Sequence, residues 1–183
     1  MNNLLNLGSR SSASVERGAA MEAGRLKIAG KYFYECFDKN GVLKWAFESK
    51  NSITKEGLNH VIDTIFLANP PVTQWYVGIY TAYTGNVLDL TGGDVGGNLT
   101  HFTNYTGNRK LYQGIRTNQV ISNVLSKAQF AILASGTIAG AFLANTASGT
   151  VNTLMSVDSF TSGPKAVTNG DTLNVTYELT ASN

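Results

Sequence analysis

The 183 residues allow one domain of ordinary size with a tail. Hydrophobic residues make up 43%, which suits a packed core and excludes wholesale disorder, whereas only 14% are charged. The net charge of +2 gives no basic footprint, so no direct nucleic-acid partner is expected. Asn, Thr, Ser and 19 glycines supply the polarity instead, a mix that favours strands and turns over surface helices. The single cysteine, Cys36, excludes an internal disulfide and any cysteine-based zinc site. No apolar run approaches the length of a membrane span, so no membrane partner is expected. Met1-Asn2-Asn3 lacks a basic region and Leu4-Leu5-Asn6-Leu7 is too short for a secretory core, so Sec export is not expected.

Residues 1–24 read as an arm. Gly8 to Ser14 is small and polar, and Ala13 to Ala23 holds helix formers with only a thin apolar face, which would need a partner surface. The domain is expected to span residues 25–183. Lys31-Tyr32-Phe33-Tyr34-Glu35-Cys36-Phe37 predicts a strand with Tyr32, Tyr34 and Cys36 on one face. Asp38-Lys39-Asn40-Gly41 is a hairpin signal, and Val42 to Glu48 returns as a second strand with Leu43, Trp45 and Phe47 on one side. The period then changes: Leu58, Val61, Ile62, Ile65 and Phe66 form one stripe of an amphipathic helix. Thr54 is its predicted N-cap, Glu56 sits in the first turn, and Asn69-Pro70-Pro71 ends it. This helix is expected to pack across a sheet or over its open end.

After Pro71 the pattern is β. Gln74 to Tyr80 predicts a strand with Val77 and Ile79 on one face and Gly78 and Tyr80 on the other. Thr81 to Arg109 reads as a long, glycine-rich loop, a length that often marks function. Strands are then expected over 111–115, 119–125, 128–133, 137–143, 153–157 and 172–179, with a turn at Asn169-Gly170-Asp171. Many short strands separated by Gly, Ser and Asn predict an antiparallel β-sandwich, jelly-roll or immunoglobulin-like, with one amphipathic helix and the N-terminal arm.

Catalytic chemistry finds little footing. His60 and His101 belong to different elements and lack metal-ligand spacing, and no nucleophile motif accompanies His101. Asp89, Asp94 and Asn98 supply too few oxygens for calcium. The paired glycines near Gly92 precede no helix, so they make no phosphate loop. Glu35, Glu48, Asp158 and Glu178 lie on predicted strands, but nothing in the sequence pairs them for sugar hydrolysis. The reading is therefore non-enzymatic, with no catalytic residue, cofactor or metal expected. Aromatics are denser than chemistry: Trp75, Tyr76, Tyr80, Tyr83, Phe102, Tyr105 and Tyr112 surround the long loop.

Five landmarks recur in order: Gly30 to Trp45 with its Asp38-Lys39-Asn40-Gly41 turn, Asn51-Ser52-Ile53-Thr54-Lys55-Glu56-Gly57-Leu58-Asn59, Trp75-Tyr76-Val77-Gly78-Ile79-Tyr80, Ile138-Ala139-Gly140-Ala141-Phe142-Leu143, and Asn169-Gly170-Asp171-Thr172-Leu173-Asn174-Val175. In this order, over about residues 28 to 180, the chain resembles a family of small virion structural proteins of tailed bacteriophages, the head decoration or cement type. The resemblance implies no catalytic residue, and it implies a protein made in the host bacterial cytoplasm that ends on the outer capsid surface. Its implied partners are the major capsid protein and further copies of itself, as a dimer or trimer. Partner contacts are expected from the arm through Leu4, Leu5, Leu7, Arg10, Arg17 and Met21, and from the long loop through Tyr83, Phe102 and Tyr105. The alternative expectation is a neck, tail or head-fibre component that binds a host glycan or another virion protein.

Overall fold

The computed structural model describes residues 26–182, and the arm residues Leu4, Leu5, Leu7, Arg10, Arg17 and Met21 lie outside them. The described elements, in chain order, are β1 (Lys27–Phe37), β2 (Leu43–Lys50), β3 (Ser52–Ile53), α1 (Lys55–Phe66), β4 (Tyr76–Tyr83), β5 (Leu99–His101), β6 (Lys110–Leu111), β7 (Ile115–Thr117), β8 (Val120–Ser122), β9 (Ala128–Ala131), β10 (Gly136–Ile138), β11 (Gly140–Ala144), β12 (Leu154–Val157), β13 (Lys165–Val167) and β14 (Thr172–Ser182). The protein is mainly β, and every strand ladder is antiparallel.

Two six-stranded sheets carry the fold. In sheet A the order is β2-β1-β14-β8-β7, with β9 also paired to β14; in sheet B it is β3-β12-β11-β4-β5, with β6 also paired to β4. β10 and β13 form a separate ribbon. The longest ladder joins β1 to β14 over eleven residue pairs, Lys27 opposite Ser182 through Phe37 opposite Thr172. The predicted hairpin forms as expected. Gly41 takes a left-handed φ of 79°, and the Asp38 carboxylate accepts from the backbone N–H groups of Asn40 and Val42.

Strand alternation decides what lies between the sheets. Tyr32, Tyr34 and Cys36 from β1 and Leu173, Val175 and Tyr177 from β14 meet Val77 and Ile79 from β4 and Ala141 and Leu143 from β11 in one buried cluster. The tyrosines bring hydroxyls inward and need partners there. Tyr32 Oη lies 3.0 Å from Ser156 Oγ, and Tyr34 donates to Asp158 Oδ2 at 2.7 Å, so both bonds tie sheet A to sheet B.

A second buried cluster lies on the other side of sheet B. Tyr80, Phe142, Ala144, Leu154 and Val157 face away from the first core and are covered by Leu90 and Leu99 from the segment after β4. Gly78 makes room for this layer, because a Cβ there would overlap the Phe142 ring. The segment expected to be a long loop is thus a folded cover. Its turns are held by Asp94, whose carboxylate accepts from Thr91 N and Thr91 Oγ1 at 2.8 Å and from Asn98 Nδ2 at 2.6 Å.

Two predicted strands divide. The 111–115 segment breaks around Gly114, which sits against Tyr112 and Ile121, so β6 joins sheet B and β7 joins sheet A. The 137–143 segment breaks at Ala139, and β10 leaves for the ribbon with β13 while β11 enters the centre of sheet B.

Candidate interaction surface

The helix begins as its sequence dictates. Thr54 caps it by accepting from Gly57 N at 3.0 Å, and its hydroxyl donates to Leu154 O at 2.5 Å. Gly57 is the one buried residue of α1, pressed so closely on the Met155 carbonyl of β12 that a side chain would not fit. Glu56 reaches out of the first turn to accept from Gly92 N at 2.8 Å and from Leu154 N at 2.7 Å, fastening the helix start to both the cover and sheet B.

The rest of the helix behaves differently. The stripe was expected to pack across a sheet or over its open end, yet Leu58, Ile62, Ile65, Phe66 and the following Leu67 are between 40% and 75% exposed. Only Val61 of the stripe packs on the main core. The physical reason is the anchoring: the first turn is clamped to β12 through Thr54, Glu56 and Gly57, and beyond Gly57 no residue of the helix is fully buried. A groove of about 410 Å³ lies under the anchored end, lined by Ile28, Ile53, Leu58, Val61, Met155 and Leu179 among others. Four large apolar side chains on one exposed helical face, Leu58, Ile62, Ile65 and Phe66, beside an apolar groove, form a surface of the kind that meets another protein.

The outward face of sheet A is the other open region. Register places Phe33 between Glu48 and Thr176, and Lys31 between Lys50 and Glu178. Phe33, Glu48, Thr176 and Glu178, together with Leu125, Val124 and Ile115, bound a concave groove of about 740 Å³. Leu125 is 81% exposed at its rim. Glu35 is paired with Lys127 at 2.6 Å and Glu48 with Lys31 at 3.6 Å, whereas Glu178 has no ion-pair partner among the described residues.

The acid residues considered for catalysis separate on folding. Glu35, Glu48 and Glu178 share the sheet A groove, but Asp158 is fully buried on the opposite side of that sheet. Burial pushes the Asp158 carboxyl above its ordinary range, against the Ser49 and Tyr34 hydrogen bonds, and its Oδ1 has no partner. Asp89 forms an ion pair with Lys55, and Asp94 and Asn98 bond to each other within the cover, so the three do not converge. No group of three His, Cys, Asp or Glu side chains among the described residues is arranged to hold a metal ion. His60 meets the edge of Trp75, with ring centres 5.7 Å apart.

The loop residues expected to contact partners need correction. Phe102 and Tyr105 are each 4% exposed and belong to the main core, with Tyr105 edge-on to Phe130 at 4.8 Å. Their side chains present no surface because β5 draws this stretch onto the edge of sheet B. Tyr83 is half-buried against the second cluster, edge-on to Tyr80. The helical stripe was visible in the sequence, but its exposure was not, since an apolar stripe ordinarily signals burial. The groove on sheet A was missed because it depends on Phe33 and Glu178 becoming neighbours across β1 and β14.

No helix among the described residues is long and apolar enough to cross a membrane. The fold and surface define a mainly β, antiparallel protein with an exposed apolar helix. No protein-family model matches the chain, and no curated protein matches it significantly.

Proposed function

We propose that this chain is a non-enzymatic bacteriophage virion structural protein of the decoration or cement type, stabilising the major capsid shell from its outer surface. One observation carries the reading most: a tightly packed body presents a helix on which Ile62, Ile65 and Phe66 are more than half exposed among the described residues. Such a surface gains free energy by being buried against protein, at about 25 cal/mol per Å² of apolar area removed from water. Binding an assembled shell in preference to free subunits would stabilise the shell by mass action. The low charge of the chain fits contacts that persist in salt. The ordered landmarks Gly30 to Trp45 through Asn169 to Val175 supply the family resemblance behind the shell as partner.

The test is occupancy of shells assembled without the chain. Wild-type protein saturates them in hundreds of copies, and Ile65→Asp with Phe66→Asp abolishes binding while leaving the melting temperature unchanged. Undiminished binding of the double variant rejects the helix as the contact, and a copy number in the tens points to a neck, tail or fibre position.

A second reading has its own observation. The sheet A groove combines the Phe33 ring with the carboxylates of Glu35, Glu48 and Glu178, a combination suited to stacking on a sugar ring and accepting from its hydroxyls. A head-fibre or tail component reading a host glycan would use it, and Phe33→Ala would then remove signal on a glycan array. The buried Tyr105 has no part in that reading.

A further inference from the structure

One buried cation has no anionic neighbour among the described residues. Arg109, at the end of the cover over sheet B, is 6% exposed. Its Nη1 donates to Thr146 O at 2.9 Å and to Thr146 Oγ1 at 3.0 Å, and its Nη2 donates to Gly149 O at 3.0 Å. All three acceptors are uncharged, and the Nε–H has no acceptor among the described residues. Arg109 forms no ion pair among the described residues. The sequence explains why: no Asp or Glu occurs between Asp94 and Asp158, and that stretch supplies every wall around the guanidinium. The same stretch carries Arg109, Lys110, Arg116 and Lys127.

A guanidinium stays charged in proteins, so burial does not neutralise it. Dipoles alone leave that charge poorly compensated away from water. Phe142 contributes its ring face, 5.8 Å from the Arg109 Cζ, which steadies the cation without supplying negative charge. Beside the guanidinium lies a cavity of about 220 Å³, between the stretch from His101 to Arg109 and the turn from Ala147 to Gly149. Thr103, Asn108 and Ser148 give it polar walls. His101 Nε2 lies 3.0 Å from Tyr105 Oη. Burial first, and then the Arg109 charge, hold the His101 pKa down to about 4, so the imidazole is neutral near pH 7.

We propose that this pocket is an oxyanion site, in which a single carboxylate- or phosphate-sized group enters beside Arg109 and accepts from its guanidinium. A forked donor suits two parallel bonds to such a group. The cavity is below the range of about 300 Å³ and more that takes drug-sized ligands, which favours one small anion over a nucleotide. The site stands on different residues from the helix surface and does not rest on the capsid reading.

The experiment is anion titration of the full chain at constant ionic strength balanced with chloride, followed by calorimetry and by ³¹P line width. Inorganic phosphate and acetate are the probes. Wild-type protein binds at least one of them saturably, Arg109→Lys weakens binding about tenfold or more, and Ser148→Ala weakens it about threefold. Ser148→Ala removes a polar wall and none of the hydrogen bonds of Arg109, so it decides the matter if Arg109→Lys fails to fold. Binding of acetate as tight as phosphate identifies a carboxylate as the natural occupant, and phosphate alone identifies a free or esterified phosphate. Absence of saturable binding by either probe, or variants that bind like wild type, overturns the proposal and leaves Arg109 as a staple between two loops.

Discussion

The two sheets share one core but treat their outer faces in opposite ways. Beyond sheet B, residues 84–98 fold down so that Leu90, with Leu99 at the start of β5, seals Tyr80, Phe142 and Val157 into a second buried layer. Beyond sheet A nothing among the described residues folds over, and Phe33, Glu48 and Glu178 line an open groove. The helix repeats the contrast within one element, anchored at Thr54 and Gly57 and exposing Ile62, Ile65 and Phe66. A long glycine-rich segment covers one sheet face, while a helical stripe and the other sheet face stay uncovered among the described residues. The long segment, which reads as a contact loop in the sequence, is part of the body.

The sharpest way to break this contrast is a matched pair of phenylalanines. Phe142→Ala opens a cavity under the cover and removes the ring that Arg109 and His101 pack against. Urea denaturation should show a loss of about 3–5 kcal/mol. Phe33→Ala, on the open face, should cost about 1 kcal/mol or less. Equal losses would mean that the sheet A face is as structural as the other.

Next in size is Asp171→Ala. This carboxylate, 2% exposed, accepts from Lys44 Nζ at 2.5 Å and from Thr168 N and Oγ1 at 2.7 and 2.9 Å, closing the turn into β14. A loss of about 2–4 kcal/mol by the same denaturation is expected, since Lys44 and the turn amide lose their acceptor. Burial works against the ionised form of Asp171, but the Lys44 and Thr168 bonds outweigh it and hold the carboxyl below its ordinary value of 3.8. A folded pKa below the unfolded one stabilises above about pH 4, and that stability disappears as pH falls through the folded pKa.

A further effect should appear at mildly acidic pH. The neutral His101 titrates near 4 when folded and near 6.5 when unfolded, so the unfolded chain binds a proton first. Stability is therefore full above about pH 6.5 and declines as pH falls toward 4. His101→Phe should flatten the slope between pH 6.5 and 4.5 in denaturation midpoints, and an unchanged slope would show that the imidazole is hydrated in the fold. Least of all should Phe66→Asp move the midpoint, by about 0.5 kcal/mol or less, because the side chain is 75% exposed.

Local signals were readable in the sequence where neighbours along the chain decide the outcome. The Asp38 to Val42 turn, the Thr54 cap and the alternation of Tyr32, Tyr34 and Cys36 all depend on residues within one turn or strand. Signals failed where distant segments decide. β3, β5 and β13 are only two or three residues long and exist because a partner strand lies alongside. Glu56 reads as a helix-start acid, yet its carboxylate serves Gly92 and Leu154, 36 and 98 positions away. Arg109 carried one visible sign, the acid-free stretch around it, which means little until folding buries the guanidinium.

The central claim is that the bare face of α1 is where the protein meets its lattice. Hydrogen exchange over residues 58–67, compared between free protein and protein bound to capsid shells, tests it directly. The account predicts exchange slowed strongly in this segment on binding, with the residues 84–98 unchanged. Unaltered exchange in α1, with protection arising on the sheet A groove or nowhere, would contradict it.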